Sequence, residues 1–174
     1  AVMDLAAAAS IDLGFAADVV TDTMSMFGLG INDTVLVANA LTKAAGASSA
    51  TVEDLIAGLG NVGPIAKNFG MSLSQTAATL AVLSDNGIKG AEAGTALKSM
   101  LTHLSTSDSA AAALERLNIA LYDMDGKARP LPIILADLKN AMKDMTDEEK
   151  NRLMYDLAGS YGQVGMAALL AGMP

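Results

Sequence analysis

The chain has 174 residues, and Ala (33), Leu (23), Gly (16) and Met (11) make up nearly half of it. Six aromatics and only 17 Val plus Ile leave little that favours strands, which excludes a β-sandwich or barrel as the main architecture. A hydrophobic share of 52% with 17% charged excludes a disordered chain, and the absence of Cys excludes a disulfide scaffold, thiol chemistry and Cys-ligated zinc.

The expected fold class is mainly all-α: a compact multi-helix domain of short helices, with one small β-hairpin. Helices are expected over 2–9, 11–27, 33–45, 51–59, 64–69, 73–86, 91–104, 108–117, 132–143, 147–158 and 161–171. Spacings of three and four set apolar stripes on single faces. In 11–27 the stripe is Leu13, Ala16, Ala17, Val20, Met24 and Phe27; in 33–45 it is Thr34, Val37, Ala38, Leu41, Ala44 and Ala45. In 72–86 it is Leu73, Ala77, Leu80 and Leu83; in 91–104 it is Ala93, Ala96, Leu97, Met100, Leu101 and Leu104.

Helix ends are marked as well. Ser72-x-x-Gln75 and Thr146-x-x-Glu149 read as capping boxes. Asn32 or Asp33, Thr51 and Ser107 are candidate N-caps, and Gly46 and Gly87 fall where left-handed C-caps belong. Asp125-Gly126 between short extended arms predicts the hairpin at about 119–130.

The length suits one domain with a genuine core. A weak repeat divides it: Phe27-Gly28, Thr34 and Leu41 recur 42 residues later as Phe69-Gly70, Thr76 and Leu83. Residues 1–87 thus read as stacked helical hairpins, and 88–174 as helices plus the hairpin. With no initiator Met and no basic leader, the chain reads as a piece cut from a longer protein.

Charge is uneven within a net −8. Residues 1–60 carry seven acids and one base, Lys43, whereas 61–174 carry twelve acids and ten bases. An acidic chain repels phosphate backbones, so no direct nucleic-acid binding is expected. The longest uncharged run, 157–174, reaches the length of a membrane span but contains Gly159, Gly162, Gly165 and Gly172, so a buried or frayed terminal helix is expected and membrane contact is not.

No residue set carries chemistry. His103 is the sole His and has no local nucleophile–carboxylate context, and no ligand spacing for zinc exists. Asp123-x-Asp125-Gly126 hints at a calcium loop, but that alignment puts Leu121 and Pro132 at positions that must supply oxygen. Lys89 is followed by Gly90 rather than Ser or Thr, so 87–97 is not a phosphate loop but a helix–turn–helix corner, with Gly94 and Ala93 allowing close helix approach. The carboxylates Asp85 with Glu92, and Asp147-Glu148-Glu149, show no paired acid–base arrangement; the second group sits in a helix first turn, where acids suit the dipole. No catalytic residue, cofactor or metal is therefore assigned, and an enzyme is not expected.

Residues 80–104, LAVLSDNGIKGAEAGTALKSMLTHL, resemble the signature of the phage tail tape measure protein family, in its minor-tail domain. The motif is Gly87, Ile88, Lys89 and Gly90, then Ala93, Gly94, Thr95, Ala96 and Leu97, assigned a structural role. Flanking stretches at 4–29, 50–83 and 117–138 are similar too, including Pro64, Ala66 and Gly70; Lys98 stands where the family more often has Arg. The resemblance implies a virion structural protein that sets tail length and scaffolds tube assembly, in the virion tail and, during assembly, the host cytoplasm of a phage or prophage. It implies as partners further copies of itself, tail assembly chaperones, and tail tube or tail-tip proteins. A fully helical rod of this length would span about 260 Å. Frequent Gly, Pro and Asp-Gly breaks exclude one, so a compact anchor rather than the ruler is expected. The alternatives are a generic helical interaction module, a tail-associated peptidoglycan hydrolase, or a membrane-active segment.

Overall fold

The computed structural model describes residues 1–172. Among these the chain forms nine α-helices: α1 (Val2–Ala9), α2 (Leu13–Phe27), α3 (Thr34–Gly46), α4 (Val52–Asn68), α5 (Leu73–Asp85), α6 (Gly90–Thr106), α7 (Asp108–Arg116), α8 (Leu131–Ala141) and α9 (Asp147–Gly172). A 3-10 turn at Ile31–Asp33 leads into α3. α6 is the centre, packing most extensively on α4 at one side and α9 at the other. α1 and α2 lie beyond α4, α3 bridges to α5, and α7 and α8 attach to α9.

One ending recurs. After α1, α2, α4, α5 and α7 a left-handed residue (Ser10, Gly28, Gly70, Gly87 or Asn118) is followed by an apolar one: Ile11, Leu29, Met71, Ile88 or Ile119. In each case the apolar residue's amide reaches back to a carbonyl five residues earlier, from Ile11 to Ala6 at 3.0 Å through Ile119 to Leu114 at 2.9 Å. This is the Schellman motif, in which the apolar residue also packs on the last turn. Starts are equally local. The boxes Ser72/Gln75 and Thr146/Glu149 form, and Thr51 makes a third with Asp54.

Several expectations need correction. The hairpin at 119–130 is absent: among the described residues there is no strand, only an isolated bridge between Tyr122 and Ala128. The Asp123 carboxylate accepts the amides of Asp125 and Lys127, closing a tight loop on itself. Ile119 donates back to α7, and Pro130 has no N–H, so the arms are too short for a ladder. The chain is thus all-α, without the hairpin.

The expected helices 51–59 and 64–69 are one, α4, with Pro64 inside it. Pro64 and Gly60, whose carbonyl loses its helical donor to the proline, both face solvent, where water can replace that bond. Gly46 is no left-handed cap; α3 runs through it, and no bulky apolar side chain follows in Ala47-Ser48 to close a Schellman turn. On α2 the buried face is Ala16, Val19, Val20, Thr23 and Phe27, so Leu13 and Ala17 are exposed. By contrast every stripe residue expected in α5 and α6 is buried.

Candidate functional site

The motif residues 87–97 come together at the α5–α6 corner and along the α4–α6 crossing. Gly87 (φ 86) lets the chain leave α5, and Ile88 turns into the core with 7% exposure. Lys89 precedes the first turn of α6 and donates from Nζ to the Ser49 carbonyl at 3.0 Å. Ser49 in turn donates its amide to Asp85 Oδ1 at 2.7 Å and its hydroxyl to the Ser84 carbonyl at 2.9 Å. The α3–α4 loop is thereby fastened to the corner from three directions.

Along the crossing, backbones nearly touch. A Cβ on Gly94 would overlap the Gly58 carbonyl oxygen and stand 2.8 Å from the Gly58 Cα. A Cβ on Gly58 would stand 3.2 Å from the Gly90 carbonyl. Asn61 of α4 donates from Nδ2 to the Ala91 carbonyl at 2.9 Å and to Thr95 Oγ1 at 3.2 Å, so the seam has one polar lock at its solvent edge. Ala93, Ala96 and Leu97 fill the apolar side and are 1%, 6% and 0% exposed.

The opposite face of α6 has a second seam, which sequence reasoning missed. A Cβ on Gly162 would stand 2.8 Å from the Met100 Cα and N, and one on Gly165 would stand 3.2 Å from the Ala96 Cβ. In the sequence Gly58, Gly162 and Gly165 are only small residues within apolar stretches; the fold sets Gly58 against Gly90 and Gly94, Gly162 against Met100, and Gly165 against Ala96. Nothing in one sequence pairs them. Over its described part the run 157–174 therefore packs one face on α6 and leaves Tyr161 and Val164 on the other exposed, and residues 173 and 174 lie outside the described residues.

The remaining candidates are held in hydrogen bonds or ion pairs within the fold. His103 Nε2 lies 3.3 Å from Ser109 Oγ and 3.2 Å from the Asp156 carbonyl. Asp85 is used on Ser49, and Glu149 caps α9. The Thr146 amide, then its hydroxyl, donate to the Glu149 carboxylate and hold its pKa below the ordinary value. Glu148 pairs with Arg152 at 3.5 Å. No group of three metal-ligating side chains occurs among the described residues. A cleft of about 580 Å³ lies between Phe69, Thr102, Ser105 and Tyr122, and its lining holds a single charged side chain, Lys127. No single described helix is long and apolar enough to cross a membrane.

A layered helical domain whose central helix is gripped by glycine on both faces is a packing element, built to hold backbones together. Residues 1–159 match the family of phage-related minor tail proteins, and the chain belongs to that family. It is 34% identical to the tape measure protein of Pneumococcus phage Dp-1 over 174 residues, which cover 99% of this chain and 15% of that protein. It is 30% identical over 130 residues to the probable tape measure protein of Escherichia phage P2, covering 74% of this chain and 15% of that protein. The chain thus spans about one seventh of the length of these relatives. No solved structure matches it.

Proposed function

We propose that this chain is a compact assembly domain of a phage tail tape measure protein, acting in tail length determination and tube assembly as an anchor and not as the ruler. The observation that carries this reading is the pair of glycine seams on α6. A length gauge needs extended helix, yet the described helices fold back on one another; a helix of 17 residues, as α4 and α6 have, reaches about 25 Å. Family membership and the tape measure relatives support a structural role in the virion tail.

On this reading residues 1–87 form two stacked helical hairpins, with Phe27-Gly28 and Phe69-Gly70 closing equivalent helices, and 88–172 complete the single domain. The motif Gly87–Gly90 with Ala93–Leu97 acts structurally, by setting the α5–α6 corner and the α4 crossing. The partners are further copies of the chain, tail assembly chaperones, and tail tube or tail-tip proteins. Assembly in the host cytoplasm precedes residence in the tail.

Deleting this domain from the parent gene, with tails measured by electron microscopy, tests the reading. Loss of tail assembly is expected. Viable tails shortened by about 260 Å, the length of a 174-residue rod, would make the segment part of the ruler. A generic interaction module predicts normal tail length and number with loss of one bound partner.

A further inference from the structure

α9 contains one residue that interrupts its helix. Gly159 has φ 71 and ψ 178, a conformation that essentially only glycine adopts and that separates 147–158 from 160–172. A helix that stops leaves its last carbonyls without intrahelical donors. Asp156 belongs to that last turn, and its carbonyl receives two donors from outside α9: His103 Nε2–H at 3.2 Å and Ser109 Oγ–H at 2.9 Å. Because a carbonyl only accepts, Nε2 carries the hydrogen, which leaves Nδ1 turned toward Gly159, 2.9 Å from where a Cβ would stand. Ser109 is itself set by Ser107, whose hydroxyl lies 2.7 Å away and caps α7.

The end of α6 and the start of α7 therefore grip one carbonyl beside the break. Beyond it, 160–172 lies on α6 through Gly162 and Gly165, and Gly172 meets Val82 of α5. We propose that Gly159 is a hinge and the His103–Ser109 pair its latch. Two arrangements of α9 compete. The bent one gains the latch and the second glycine seam. The straight one gains continuous helical hydrogen bonding through residues 155–163. Releasing the latch lets 160–172 lift from α6 as a unit and uncovers Ala96 and Met100, which are 6% and 0% exposed in the bent form.

The chain has no Cys, so two introduced cysteines are unique attachment points. Asn151→Cys and Ala171→Cys, both at exposed positions, carry nitroxide labels in the whole chain, and the distance between them is read by pulsed electron resonance. A straight helix separates these positions by about 30 Å. The parent sequence is expected to give one population shorter than this. Adding His103→Ala with Ser109→Ala is expected to create a second population near the straight-helix distance, and Gly159→Ala to make that population dominant. Thr102→Ala, exposed on α6, is expected to leave the distribution unchanged. The hinge is overturned if the double variant keeps the parent distribution. It is equally overturned if that variant loses its helical circular dichroism, because the pair would then be a brace for the whole fold. Should Gly159→Ala fail to fold, the double variant decides alone, since it leaves both glycine seams intact.

Discussion

The two halves of the bundle bury their helices in different ways. Around α6, contact is between backbones: Gly94 on Gly58 and Gly162 on Met100, with side chains filling only the flanks. In the α1–α3 region, contact is between side chains, with Leu5, Val37 and Leu41 fully buried. That region also leaves Leu13, Phe15, Ile31, Val35 and Leu36 exposed and carries five acids against a single base, Lys43. A backbone seam tolerates no added atom, because neither partner can move without moving a helix. A side-chain interface can repack, so its sequence is looser.

The sharpest way to break the comparison is Gly94→Leu. It should destabilise by about 3 kcal/mol, the upper part of the range for overpacking, as read from the urea midpoint. A shift under about 1 kcal/mol would mean that the seam can open. Next, Thr51→Ala removes the hydroxyl that caps α4 and should cost about 1 kcal/mol. Since α4 carries one side of the seam, this measures how far a local cap contributes to the centre. On the other side of the comparison, Leu36→Asn at an exposed position of α3 should change stability by no more than about 0.5 kcal/mol. A larger loss would show that the α1–α3 surface is packed more firmly than it looks.

The smallest effect concerns acid. Glu149 has a pKa lowered by Thr146, so its contribution is complete above the unfolded carboxylate value, about 4.3, and is lost as pH falls through the lower folded value. Wild type and Glu149→Gln should therefore differ near neutrality and converge in acid. A gap that persisted at pH 2 would refute the assignment. α9 starts there, far along the chain from the α1–α3 region, so this effect should not depend on Leu36.

What was legible in the sequence follows the same division. On α5 and α6 each residue's neighbours are fixed by the period of the helix, and Leu73, Leu80, Leu97 and Met100 all fall inside as their spacing demands. The helix starts were readable because a cap lies within three residues of what it caps. On α2 the stripe was misphased, since Leu13 and Ala17 match the period as well as Val19 does, and only the position of α4 chooses between them. The hairpin was misread because Asp125-Gly126 announces a turn but not how much ladder follows it. The motif itself was visible, and so was the close approach at Gly94. Its partners, Gly58 against Gly94 and Gly165 against Ala96, were not, since they lie 36 and 69 positions away and only the fold brings them together.

The central claim is that glycine at the α6 seam is a packing requirement and not merely a feature of composition. It is tested most directly by one substitution at two sites, with equilibrium unfolding in urea. Gly60 lies inside α4 at an exposed position with no atom within 4 Å of an added Cβ, whereas Gly94 faces the Gly58 backbone. Gly60→Ala should stabilise by about 0.5–1 kcal/mol through helix propensity alone. Gly94→Ala should destabilise despite the same gain in propensity. If both variants shifted the midpoint upward together, the seam would not hold the domain and the account would be wrong.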